Sequence, residues 1–166
     1  MASGDLILQF LPQSHVPALT NAAIPDERLT ASDRHPILNF SASGSPLGVF
    51  KDVLPPNYGG GNLSFEVGFI MASATTGNVG GKIEFENDSA QDHDTANWGS
   101  VTTFSAVAVP STNGAPGTIT GTVTSGANMQ SLTANQAYRL RFTRDNSVAS
   151  NASGDLSVLY IRALEA

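Results

Sequence analysis

The chain has 166 residues, 40% of them hydrophobic and only 13% charged, with 14 acidic against 8 basic residues for a net charge of −6. That length suits one domain with a proper core. The excess of acid argues against a phosphate-binding face, and the absence of cysteine excludes disulfides, thiolate metal sites and thiol nucleophiles.

Residues 1–38 stand apart. A short apolar run, Leu6-Ile7-Leu8-Gln9-Phe10-Leu11, is followed by Pro12, Pro17, Pro25 and Pro36 at wide spacing. Prolines placed like this oppose both a long helix and a central strand. Yet the segment carries Leu6, Ile7, Leu8, Phe10, Leu11, Val16, Leu19, Ile24 and Leu29, too many apolar groups for a solvated linker. It reads as an extended arm lying on another surface, either its own domain or a partner. There is no basic region followed by an apolar one at the N-terminus, and no apolar stretch approaches the roughly 18 residues of a membrane helix. The expectation is a soluble protein made in the cytoplasm.

Residues 39–166 read as a β-sandwich domain. Short strands are expected over 37–40 and 47–51, and Leu54-Pro55-Pro56-Asn57-Tyr58-Gly59-Gly60-Gly61 is a turn region. Leu63, Phe65, Val67, Phe69 and Met71 then alternate with smaller or polar residues, which gives a strand one fully apolar face. This is the central strand of the core. Further strands are expected over 78–86, 101–109, 118–124, 138–144 and 156–164, the last apolar on both faces, as suits a strand buried between layers or at a subunit contact. A single helical turn is expected at 128–132. About eight strands at this spacing, with no helical period long enough for a βαβ unit, indicate an antiparallel jelly-roll β-sandwich.

Chemistry-bearing clusters are sparse. The acidic run Asn87-Asp88-Ser89-Ala90-Gln91-Asp92-His93-Asp94 lacks the spacing of a calcium loop and reads as a solvated loop. His15, His35 and His93 are scattered, and no nucleophile elbow is present. Glu66, Glu84 and Glu86 sit on outward strand faces, where a carboxylate pair across strands is the geometry of some glycosidases; solvated glutamates are the preferred reading, so no catalytic residue, metal or cofactor is assigned. Arg139, Arg141 and Arg144 read as a basic stripe, expected to pair with those glutamates. Trp98, the only tryptophan, follows the acidic loop and is either a loop anchor or a platform for a sugar ring.

The turn at 54–61 leading into the long strand, Thr75-Thr76-Gly77-Asn78-Val79, the acidic loop, Tyr138-Arg139-Leu140-Arg141-Phe142-Thr143-Arg144-Asp145 and Gly154-Asp155-Leu156-Ser157-Val158-Leu159-Tyr160 together resemble a β-module of phage virion proteins. Capsid decoration proteins and short tail-fibre proteins belong to that group, and the resemblance covers residues 39–163. It implies a non-enzymatic jelly-roll homotrimer on the virion, more readily the head than the tail, without nucleic-acid or membrane contact. The partner expected is a major capsid protein or another virion protein, gripped through the apolar residues of the arm. The alternative is a tail tip that recognises a host-surface glycan through Trp98 and the loop at 87–99.

Overall fold

Leu63–Met71 is the middle of a sheet in the computed structural model, which describes residues 4–18, 20–29, 33–90 and 92–166. In chain order the strands are β1 (Leu6–Phe10), β2 (His15–Val16), β3 (Ile24–Leu29), β4 (Arg34–Phe40), β5 (Leu47–Val53), β6 (Leu63–Met71), β7 (Asn78–Val79), β8 (Gly81–Asn87), β9 (Thr102–Thr103), β10 (Val107–Ala108), β11 (Gly117–Val123), β12 (Ala137–Arg144) and β13 (Leu156–Glu165). Among the described residues the only helical segments are 3-10 turns at Pro12–Ser14 and Gly126–Met129. The strands form an antiparallel jelly-roll β-sandwich. One sheet runs β11-β6-β13-β4-β3 with β1 also beside β13, the other runs β2-β5-β12-β8-β9, and β10 pairs with β7 at one end.

The two layers meet through the alternating faces. Leu63, Phe65, Val67 and Phe69 are wholly buried, as are Ile83 and Phe85 of β8 and Tyr138, Leu140 and Phe142 of β12. Aromatic pairs join the layers: Phe10 stacks on Phe50 at 5.0 Å and meets Tyr138 edge-on at 6.4 Å, Phe40 meets Phe142 edge-on at 5.2 Å, and Phe65 meets Phe85 edge-on at 6.0 Å. The edge-on pairs add to the area they bury because the edge of one ring faces the π-cloud of the next.

The first part of the N-terminal segment lies on its own domain, as a strand. Strand β13 uses one edge along its whole length for β6, but β4 covers only Leu156 to Val158 of the other edge. The remaining edge would leave backbone donors and acceptors unpaired, and β1 takes them, with Leu6 opposite Leu164 and Phe10 opposite Ile161. Ile7, Leu8 and Phe10 are therefore core residues, whereas Leu6, Leu11, Val16, Ile24 and Leu29 remain exposed; Leu19 lies outside the described residues. The prolines do not prevent this. Pro25 lies in the edge strand β3, and Pro36 lies in the part of β4 beyond its pairing with β13, so neither missing N–H is needed there.

Two other expectations change. Residues 101–109 are not one alternating strand but the two short pieces β9 and β10, separated by Phe104. Phe104 leaves the ladder to fill the notch above Gly121, where a Cβ added to the glycine would sit 2.0 Å from its ring. Gly121→Ala is therefore expected to destabilise the fold by about 2 kcal/mol through overpacking. In a Phe104→Ala background the same change should cost little, and a urea-unfolding double-mutant cycle measures the difference. Strand β13 is apolar on both faces because a bulge shifts its register between Val158 and Tyr160. Leu156 and Val158 point inward before it, Ile161 and Ala163 after it. The bulge sets the Tyr160 ring on the outer face, against Gly68, where no side chain would fit.

Candidate functional site

Strand β12 places Arg139 and Arg141 on the outer face of the second sheet, and the register with β8 puts Glu86 opposite Arg139 and Glu84 opposite Arg141. Glu84 accepts from Nε of Arg141 at 2.8 Å and from Nη2 at 2.5 Å. Arg139 pairs with Glu86 through Nη2 and with Asp88 through Nε at 3.3 Å, and Asp88 also pairs with Lys51 of β5. The expected partnership of these arginines with neighbouring glutamates is present. Glu66 is not part of it. That carboxylate lies on the outer face of the other sheet, where Oε2 accepts from Nε of Arg162 at 2.6 Å. Glu66 thus has the whole sandwich between it and Glu84 or Glu86, so the cross-strand carboxylate pair of a glycosidase does not form with it.

Arg144 also leaves the expected stripe. It is one residue out of phase with Arg139 and Arg141, so its side chain turns inward and is completely buried. Its Nη1 donates to the carbonyls of Gly154 at 2.8 Å and Phe40 at 3.1 Å, and Nη2 donates to the carbonyl of Ala152 at 2.8 Å. Burial pushes the guanidinium below its ordinary value, and the charge of Asp155 opposes that shift. Arg144 is a structural clamp on the segment leading into β13.

Trp98 is held over the two outward arginines. Its neighbours are tied back to β8: the Asn97 N–H donates to Oε1 of Glu86 at 2.7 Å and the Gly99 N–H to the carbonyl of Phe85 at 2.7 Å. Gln130 bridges the same elements, accepting from the Asn87 N–H at 2.7 Å and donating to the carbonyl of Asn97. The half-buried indole lies 4.4 Å from the Arg141 guanidinium carbon and 5.4 Å from that of Arg139. These are cation–π distances, and they fix the ring without a covalent tether.

These groups line a cleft of about 410 Å³ across the outer face of the second sheet. Leu47, Val49 and Lys51 of β5 and Arg139 and Arg141 of β12 contribute from the strands, Ala96 and Trp98 from the loop after β8, and residues 16–18 and 20 from the N-terminal segment. The sequence singled out Trp98 and the arginines but missed Lys51, Leu47, Val49 and Gln130. The period-two spacing of Leu47, Val49 and Lys51, in register with Arg139 and Arg141, is the signal that places them on this face. Elsewhere in the acidic loop, Asp92 caps its own turn by accepting from the Asp94 N–H at 3.0 Å. Among the described residues no group of three or more His, Cys, Asp or Glu side chains is arranged to hold a metal ion.

His15 of β2 faces the interior, on the side of the sheet away from the cleft. It pairs with Phe50 across β2 and β5, its ring meets that of Phe50 edge-on at 6.2 Å, and neither ring nitrogen has a hydrogen-bond partner among the described residues. Burial lowers its pKa from 6.5. Between pH 6.5 and the lowered value, the unfolded chain binds a proton that the folded chain does not. This contribution to stability is therefore complete above pH 6.5 and declines as the pH falls through that window. Thermal melts from about pH 8 to pH 5 should show such a decline, and His15→Phe should remove that component.

No family model matches the chain, and no curated protein matches it in sequence. Similar solved structures include carbohydrate-binding modules. The CBM22-2 xylan-binding domain of Xyn10C from Paenibacillus barcinonensis superposes with a TM-score of 0.57 at 12% identity, covering 96% of this chain and 99% of that one. The C-terminal CBM6 of the laminarinase LamC from Zobellia galactanivorans gives 0.50 at 14% identity, covering 95% and 98%. The CBM22-1 and GH10 modules of Clostridium thermocellum Xyn10B, complexed with xylohexaose, give 0.57 at 12% identity, covering 99% of this chain and 29% of that one. At these identities the likeness establishes a shared fold.

Proposed function

We propose that this protein is a non-enzymatic carbohydrate-binding module that holds a glycan in the Trp98 cleft. The observation that carries this reading is a lone indole held on two guanidiniums beside a cleft floored by both apolar and hydrogen-bonding side chains. A sugar ring has the complementary character. Its axial C–H face is apolar and stacks on an indole, while its hydroxyls accept from charged N–H groups at the rim. The fold shared with xylan-binding and laminarinase-associated modules supports the same class of ligand. The capsid-decoration role implied by the phage resemblance has less support, because Ile7, Leu8 and Phe10 of the supposed arm are already in the module's own core. The glycan-recognising alternative, centred on Trp98, retains its site whichever larger assembly carries the module.

Affinity electrophoresis through gels containing soluble polysaccharides (xylan, mixed-linkage glucan, laminarin, polygalacturonate) tests the proposal. Retardation by at least one of them, abolished in Trp98→Ala, is the expected result. Free migration in every gel, or retardation unchanged by Trp98→Ala, would overturn it.

A further inference from the structure

The cleft is unusual in the sign of what it presents. The chain carries net charge −6 and only eight Lys and Arg residues, yet among the described residues three of those eight line this cleft and no carboxylate does. The matching acids lie beneath the surface. The Lys51 side chain is 55% exposed and its partner Asp88 only 2%; Arg139 is 32% exposed over a fully buried Glu86; Arg141 is 25% exposed over Glu84 at 11%. Each pair therefore leaves its cation accessible at the cleft while its anion is shielded from solvent. Glu84 accepts from Nε and Nη2 of Arg141, and Glu86 and Asp88 form ion pairs with Nη2 and Nε of Arg139, while no hydrogen bond or ion pair among the described residues engages Nη1 of either guanidinium.

From this arrangement we infer that the ligand is an anionic glycan, one whose sugar rings carry a carboxylate or sulfate ester, with Trp98 stacking on a ring while Lys51 and the free Nη1 groups of Arg139 and Arg141 bind the anion. The inference rests on the carbohydrate-binding reading above and narrows its ligand. A neutral sugar would use these donors as well, but only through hydroxyl acceptors, and would gain nothing from the segregation of charge. An anionic group gains twice: its hydrogen bonds to guanidinium and ammonium are charge-assisted, and it meets no exposed carboxylate in the cleft. The buried acids keep the three cations in place before the ligand arrives, which lowers the ordering cost of binding. The carboxylate of a uronic acid is the favoured form, being planar like the guanidinium.

Isothermal titration calorimetry with the whole chain tests this, using hexagalacturonate, a sulfated galacto-oligosaccharide and neutral xylohexaose as probes. Hexagalacturonate is expected to bind about tenfold or more tighter than xylohexaose, the difference between a charged and a neutral hydrogen-bond acceptor. Its affinity should fall several-fold between about 50 and 500 mM NaCl as screening grows, while that of xylohexaose barely changes. Lys51→Gln leaves Asp88 paired with Arg139, so the fold should persist; it is expected to weaken the anionic ligand by a larger factor than the neutral one, which loses only a hydroxyl contact. Tighter binding of the sulfated probe than of hexagalacturonate would keep the anionic class and assign the anion as a sulfate ester. Equal or tighter binding of xylohexaose, or uronate binding indifferent to salt and to Lys51→Gln, would overturn the inference and leave the module reading intact. Failure of all three probes, together with free migration in every polysaccharide gel, would remove both.

Discussion

Replacing Arg144 by alanine is expected to destabilise the fold by about 3–5 kcal/mol, the range for removing one partner from a buried charged network. The guanidinium is completely buried and joins three carbonyls, those of Phe40, Ala152 and Gly154. Without it each carbonyl is left desolvated, at about 1–3 kcal/mol apiece before the chain relaxes or water enters. For a domain of this length the loss corresponds to a fall in melting temperature of about 10 °C. Arg144→Lys should recover only part of it, because a single ammonium cannot reproduce a planar fork that reaches carbonyls on both sides. Urea unfolding of the three proteins checks the order. A loss below about 1 kcal/mol for Arg144→Ala would mean that the segment before β13 is held by its backbone bonds alone.

Trp98→Ala is expected to lower glycan affinity by about 30-fold or more, roughly the 2 kcal/mol or greater that an aromatic anchor contributes at the centre of a binding site. The same change should cost the fold little, since the indole is half-buried and rests on guanidiniums that keep their carboxylate partners without it. That separation of effects distinguishes a binding residue from a loop anchor. Large destabilisation with only modest loss of affinity would assign Trp98 the anchoring role, the other reading its sequence position allows.

What the sequence made legible follows the reach of each physical signal. The alternation of Leu63, Phe65, Val67, Phe69 and Met71 is a strictly local pattern, and all five are buried as that pattern predicts. The pairing of Arg139 and Arg141 with glutamates was legible for the same reason, because parity along β8 and β12 sends both sets outward. Parity also shows that Arg144 does not belong with them, and its charge hid that. Other features depend on partners distant in sequence. The N-terminal run becomes β1 because β4 leaves part of the β13 edge open, a vacancy created far along the chain by the order of strands in the sheet. The doubly apolar pattern of β13 suited a strand buried between layers or one at a subunit contact, and the bulge after Val158, which switches the inward parity, underlies that pattern. Trp98 was visible as a candidate by being alone. The cleft was not visible, because its sides come from the N-terminal segment, β5, β12 and the loop after β8, which only the tertiary fold brings together.

The central claim is that a glycan occupies the Trp98 cleft, and a single tryptophan makes that claim directly observable. In nitrogen-15 NMR of the intact chain, the one indole Nε1–H signal reports on the cleft while backbone amides report on both sheets. Titration with an oligosaccharide from a polysaccharide that retards the protein should shift the indole signal, together with the amides of Val49, Lys51, Arg139 and Arg141, and leave those of Glu66, Thr120 and Tyr160 on the opposite face unchanged. Saturable binding that moves the amides of Glu66, Thr120 and Tyr160 while the indole stays fixed would contradict it.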